Sequence, residues 1–150
     1  MPTTKADASW KGSLKDGQGT MSLASGAYTG PFSFVSRFER GAGPETGTNP
    51  EELLLGAVVT CFVQTWAIFL AKLRAPLEAP RIDGALELEA DPAGGYRVSR
   101  IDLVAHVPAA LLAEREADVA KTLALAEKYC IVSKAVKGEG REVHVTARPA

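Results

Sequence analysis

Cysteine is scarce in this chain of 150 residues, with only Cys61 and Cys130. Two cysteines so far apart exclude the disulfide-stapled scaffold of a small secreted domain. Histidine is equally scarce. His106 and His144 fall in different strand-like segments, with no ligand spacing around either cysteine, so no metal is expected. Charge of either sign is not in excess: 17 basic and 18 acidic residues leave a net −1. Neither nucleic acid nor an anionic membrane would be drawn to such a balance, and no basic patch is interleaved with aromatics. The opening stretch "MPTTKADASWKGSLKDG" lacks the apolar core of a signal peptide, so the expected location is the cytoplasm.

What is present is an ordinary globular composition, 46% hydrophobic and 23% charged, of a length that suits one domain spanning residues 1–150. Short alternating stretches, "ASWKGSL", "GTMSLASG" and "FSFVSRF", read as half-buried strands separated by glycine-rich turns. The loop "ERGAGPETGTNP" leads to a helix start: Thr48 or Asn49 can cap, Pro50 suits the first helical position, and Glu51 and Glu52 favour the positive end of the dipole. The helix runs to Lys72 and is ended by Pro76. Residues 81–90 and 96–107 alternate around "DPAGG" as a hairpin, and Pro108 breaks the second strand. The segment 109–129 is an amphipathic helix with Leu112, Val119, Leu123 and Ala126 on one stripe. "CIVSKAVKGEG" continues it briefly and stops at glycines, and "REVHVTARP" closes as a strand. Strands, long helix, hairpin, helix and strand in that order give an α+β class.

The stretch "NPEELLLGAVVTCFVQTWAIFLAK" is apolar enough to pose as a membrane span. Thr60, Gln64 and Thr65 at its middle, and the soluble pattern around it, favour a helix buried on nearly all faces. A domain this small cannot cover such a helix alone, so two copies packing their central helices together are expected. Cys61 inside it is either a small buried hydrophobe or a reactive thiol, and the residues alone leave both open. It sits too deep for its own helix dipole to hold a thiolate, so a cation is expected from elsewhere, with Arg37 in "VSRFE" the leading candidate.

"GTNPEELLLGAVVTCF", the distal "KYCIVSKAV" and "SRFE" before the loop resemble the OsmC/Ohr family of organic hydroperoxide reductases, nearer its OsmC branch. The resemblance runs nearly the whole length of the chain. It implies an intertwined α+β homodimer, with antiparallel sheets around a long buried central helix and two sites at the subunit interface. It also implies a thiol-dependent peroxidase serving oxidative or osmotic stress defence. Cys61 would be the peroxidatic residue, passing through a sulfenic acid to a Cys61–Cys130 disulfide. An external dithiol reductant, a lipoyl protein, would reset the pair without any bound cofactor. Arg37 and Glu51 would complete the site, the glutamate orienting the guanidinium by a bidentate pair.

Phe34, Phe38, Phe62, Trp66, Phe69 and Tyr129 are candidates to line an apolar pocket, two or three of them touching substrate. Two departures stand out: Ile131 follows the second cysteine where the family usually has proline, and Val58, Val59 and Thr60 precede the first where alanines are usual. A non-catalytic dimer of the same fold, binding apolar ligands or partners, is the alternative.

Overall fold

The structure is a computed structural model that describes residues 3–39, 47–74, 79–138 and 142–150. It divides into two compact units, Met1–Leu53 and Leu54–Ala150. The loop "ERGAGPETGTNP", the helix stop at Pro76 and the later glycine stop fall largely or wholly outside the described residues.

The first unit is an antiparallel meander of β1 (Ala6–Lys11), β2 (Gln18–Leu23) and β3 (Thr29–Ser33). Trp10 and Phe32 pack on one face with ring centroids 5.7 Å apart, over Gly19. β1 is exposed along its whole length, against the half-buried strand expected, and only β2 and β3 contribute buried positions. A second difference concerns "FSFVSRF". The strand ends at Ser33, and Phe34–Phe38 form a short helix, α1. The cause is a capping box: the Ser33 hydroxyl accepts the Ser36 N–H at 3.0 Å, and the Ser36 hydroxyl accepts the Ser33 N–H at 3.0 Å. Those two bonds turn the chain although the side-chain alternation would have continued the strand.

α2 (Pro50–Lys72) follows and runs unbroken across the boundary between the units. Asn49 caps it, its Oδ1 accepting the Glu52 N–H at 2.7 Å. The same side chain donates from Nδ2 to the Ser36 carbonyl at 3.1 Å, which ties α1 to the start of α2.

The second unit carries the core. β4 (Arg81–Ala90) and β5 (Tyr96–Val107) form the hairpin with the expected bounds. Gly94 and Gly95 close its turn at φ +106° and +81°, values that glycine alone adopts without strain. α3 (Ala109–Tyr129), α4 (Ile131–Val136) and β6 (Glu142–Pro149) complete the unit. β6 lies parallel to β5, not antiparallel as expected. Helices separate the two strands, and a helical crossover returns the chain in the same direction. α3 is bent at Arg115, whose guanidinium instead reaches the Leu73 carbonyl at 3.2 Å and the Asp118 carboxylate at 2.9 Å.

Ile101, Leu103, Ala105 and Val107 present one buried face of β5, the period-2 signature of a strand covered on one side. Val58, Phe62, Trp66 and Leu70 recur every fourth residue on α2 and pack into that core with Val119, Leu123 and Ala126 of α3. The expected stripe of α3 is therefore present, with Leu112 half-buried at its edge. Gly84 of β4 lies so close to α2 that a Cβ there would stand 2.7 Å from Val59 Cγ2. The Trp66 indole N–H donates to Thr122 Oγ1 at 3.0 Å inside this layer. α2 is long and apolar enough to cross a membrane by length and composition. Within the single chain it buries one stripe, Val58, Phe62, Trp66 and Leu70, because one sheet and one helix cover one side of it.

Candidate functional site

Arg37, Glu51, Cys61 and Cys130 fall into two pairs, one in each unit. In the first unit, Arg37 stands on α1 rather than at a strand end. Its Nε and Nη2 donate to the same oxygen of Glu51, at 3.0 and 2.7 Å. The guanidinium fork thus converges on one carboxylate oxygen, where one bond to each oxygen was expected. Arg37 also lies 5.0 Å over the Phe38 ring, which packs at a tilt against Phe34 with centroids 5.0 Å apart. The Asn49 cap and the Ser36 contacts hold the two ends of this pair in register, since Arg37 directly follows Ser36 and Glu51 lies two residues after Asn49.

In the second unit, Cys61 projects from the middle of α2 and is half-buried, while Cys130 is fully buried. Cys130 is not a continuation of α3. It takes an extended conformation, φ −62° and ψ 114°, ending α3 and starting α4 at once. This junction puts the unpaired N–H groups of the first turn of α4 beside both sulfurs. The Ser133 N–H donates to Cys130 Sγ at 3.4 Å. The N–H groups of Val132 and Ile131 serve Cys61 instead.

The two thiols are consequently unlike. Burial raises the Cys61 pKa, but the Val132 N–H, the Cys130 thiol, the Ile131 N–H and the Thr65 hydroxyl together bring it below the ordinary thiol value. For Cys130 burial dominates and the neighbouring Cys61 sulfur adds to it, so its pKa is raised despite the Ser133 hydroxyl and N–H. A lone ionisation between the two therefore falls on Cys61, with Cys130 as a thiol donor to it.

The sequence pointed to an arginine as the partner of the thiolate; in this unit the Val132 and Ile131 N–H groups, with the Cys130 thiol and the Thr65 hydroxyl, supply the lowering. Backbone N–H groups have no letter of their own. Their only signal was that Cys130 precedes a short helical stretch.

Cys61 lines a cavity of about 640 Å³ together with Gln64, Ile68, Phe69, Leu125, Tyr129 and Ile131. Of the six candidate pocket aromatics, Phe69 and Tyr129 line it, paired at 5.6 Å, whereas Phe62 and Trp66 are core. Lys72 stands over Phe69, and Lys128 and Lys134 over Tyr129, at 5.2 to 5.6 Å. His106 pairs with Asp83 across the β4–β5 hairpin and His144 with Glu142 along β6. Among the described residues no group of three or more His, Cys, Asp or Glu side chains stands together as a metal site.

Known proteins share this arrangement of elements. A family profile described as OsmC-like protein matches residues 43–145. Peroxiredoxin OsmC of Escherichia coli (strain K12) is 34% identical over 105 residues, covering 69% of each chain. The uncharacterized protein YmaD of Bacillus subtilis (strain 168) is 32% identical over 136 residues, 87% of this chain and 84% of that one. Among solved structures, the organic hydroperoxide resistance protein OsmC of Legionella pneumophila superposes with a TM-score of 0.74 at 24% identity, over 98% and 97% of the two chains. OhrB of Bacillus subtilis does so with 0.73 at 21% identity, over 96% and 98%, which at this identity speaks for the fold. The match spans α2 and the Cys61 and Cys130 positions together, and on that extent of sequence and fold this chain belongs to the OsmC-like protein family.

Proposed function

We propose that this protein is a thiol peroxidase that reduces organic hydroperoxides to alcohols. The observation that carries the reading is the asymmetry of the cysteine pair: a half-buried, acidified Cys61 beside a buried, reluctant Cys130. Family membership and a relative named peroxiredoxin support it.

The Cys61 thiolate attacks the distal peroxide oxygen, the O–O bond breaks, and the alkoxide leaves and takes up a proton as the alcohol. Cys61 is left as a sulfenic acid. Cys130 then displaces its hydroxyl as water and closes the Cys61–Cys130 disulfide. An external dithiol, carried by a lipoyl protein, reopens it without a bound cofactor or metal. The apolar cavity beside Cys61 accommodates the organic tail and disfavours hydrogen peroxide, which has nothing to bury there. Arg37, oriented by Glu51, holds the peroxide oxygens through its fixed donors. We place the protein in the cytoplasm, in oxidative or osmotic stress defence.

The protein works as a homodimer. Gly56, Ala57 and Thr60 leave a small-residue face of α2 exposed over about one turn, as a second helix in close contact requires. Sedimentation of the wild type should give twice the chain mass, and Ala57→Arg should give the single mass.

The activity is tested by cumene hydroperoxide consumption with a dithiol reductant. Wild type should turn over, Cys61→Ser should be inert, and Cys130→Ser should stop after one event. A wild type that folds normally and consumes none returns Cys61 to packing, and the apolar-ligand-binding dimer takes its place.

A further inference from the structure

Ser133 occupies the third position of α4 and is fully buried, at 0% exposure. Its N–H reaches the Cys130 sulfur at 3.4 Å. Among the described residues, its hydroxyl oxygen has no nitrogen or oxygen partner. Buried hydroxyls are nearly always paired, so one kept without such a partner calls for a reason. The neighbour it acts on is Cys130. Burial pushes that thiol up most strongly and the Cys61 sulfur adds to it, whereas the Ser133 hydroxyl and N–H draw it down.

The consequence concerns the reopening of the Cys61–Cys130 disulfide, and it rests on the proposed peroxidase reading. A thiolate breaks a disulfide by attacking one sulfur in line and expelling the other as a thiolate. Acidity favours Cys61 as the group expelled. Access favours Cys61 as the group attacked: it lines an open cavity, while Cys130 has 0% exposure beneath the α3–α4 junction. Access decides, because in-line attack needs the incoming sulfur in contact behind the one attacked, and Cys130 offers no such position while the junction is closed. The poorer leaving group must then depart into a buried site, where an uncompensated charge is costly.

We propose that the reductant enters at Cys61 and that Ser133 receives Cys130 as the departing thiolate. The incoming thiolate bonds to Cys61 Sγ; the disulfide bond breaks, and its electron pair leaves on Cys130 Sγ, to which the Ser133 N–H and hydroxyl donate. The second thiol of the reductant protonates Cys130. The reductant thiolate so formed attacks the reductant's own sulfur in the mixed disulfide, closes the reductant's disulfide and releases the Cys61 thiolate.

The disulfide is first formed with diamide, so that the test does not depend on peroxide. Brief treatment with glutathione, acid quenching, alkylation and peptide mass spectrometry then locate the glutathione. It should sit on Cys61 with Cys130 alkylated; glutathione on Cys130 overturns the proposal. Ser133→Ala should be reopened by dithiothreitol about tenfold more slowly, the loss of a charge-assisted hydrogen bond, with a smaller effect on dimedone-trapped oxidation of Cys61. Ser133→Thr, which keeps the hydroxyl, should recover the rate. Reopening of Ser133→Ala at the wild-type rate overturns the role of Ser133, and so does an equal slowing of both half-reactions. The wild-type adduct needs no variant to fold. If diamide closes the disulfide and peroxide does not, the peroxidase reading fails while the adduct still decides the direction of opening. If diamide closes none, both fail.

Discussion

The N–H of Ile131, the first residue of α4, lowers the pKa of Cys61 on a different helix. The relationship follows from position: the first N–H groups of a helix have no partner within it. Ile131 and Val132 spend theirs on Cys61, and Ser133 spends its own on Cys130.

Ile131→Pro removes one of these donors and leaves the backbone path intact. Proline suits the first helical position, and Cys130 already has the extended conformation that precedes proline. The Ile131 side chain is 76% exposed, so the ring displaces no core. Stability should stay within about 1 kcal/mol in urea titration. The thiolate form of Cys61 should appear at higher pH, and its alkylation at neutral pH should slow by roughly threefold to tenfold. An unchanged alkylation profile would remove the Ile131 N–H from the account.

The pH dependence of the two thiols has opposite signs. Cys61 is an acid held below its ordinary value of 9.0, so its reaction rate should rise with pH through a midpoint below 9.0. Cys130 is held above 9.0 and its labelling should reach its midpoint later, beyond 9.0. Linkage follows the same signs: the stability Cys61 contributes is present above 9.0 and lost as pH falls through its lowered value. Residue-resolved iodoacetamide labelling against pH reads both, and earlier labelling of Cys130 would reverse the assignment.

Arg37→Lys should lose most of the peroxidase activity, about tenfold or more in kcat/KM. A lysine offers one compact charge where Nε and Nη2 together engage Glu51 Oε1. Glu51→Gln should fall in the same direction, because it frees the guanidinium from its charged partner. Near-normal turnover in the lysine variant would remove Arg37 from the mechanism.

Asn49→Ala should destabilise the protein by about 1–2 kcal/mol, measured by denaturant unfolding. The side chain is 4% exposed and serves two anchors, the Glu52 N–H and the Ser36 carbonyl. A variant of wild-type stability would show that neither bond matters to the start of α2.

The segments with one strong period were legible in the sequence. The helix over 50–72, the strands over 81–90 and 96–107, and the helix over 109–129 have the bounds that periodicity and punctuation gave them. "FSFVSRF" was misread because Phe32 and Phe34 alternate like a strand while the deciding interaction is Ser33 with Ser36, two small residues with weak pattern. The direction of β6 was missed because alternation reports a strand's faces and is silent on its partner. The site was half legible. The residue types were visible, and the Arg37–Glu51 pair formed, yet the groups that tune Cys61 are mainly main-chain N–H groups brought by a fold-level contact.

In the proposed reaction Cys61 is the thiol that meets peroxide and Cys130 the one that closes on it. The most direct measurement adds one equivalent of cumene hydroperoxide to the fully reduced protein under anaerobic conditions, followed by intact-mass and peptide analysis. The expected result is loss of both thiol hydrogens, a single Cys61–Cys130 crosslink and one equivalent of cumyl alcohol, with no change in Cys61→Ser. An unchanged wild-type mass with the peroxide intact would contradict the account.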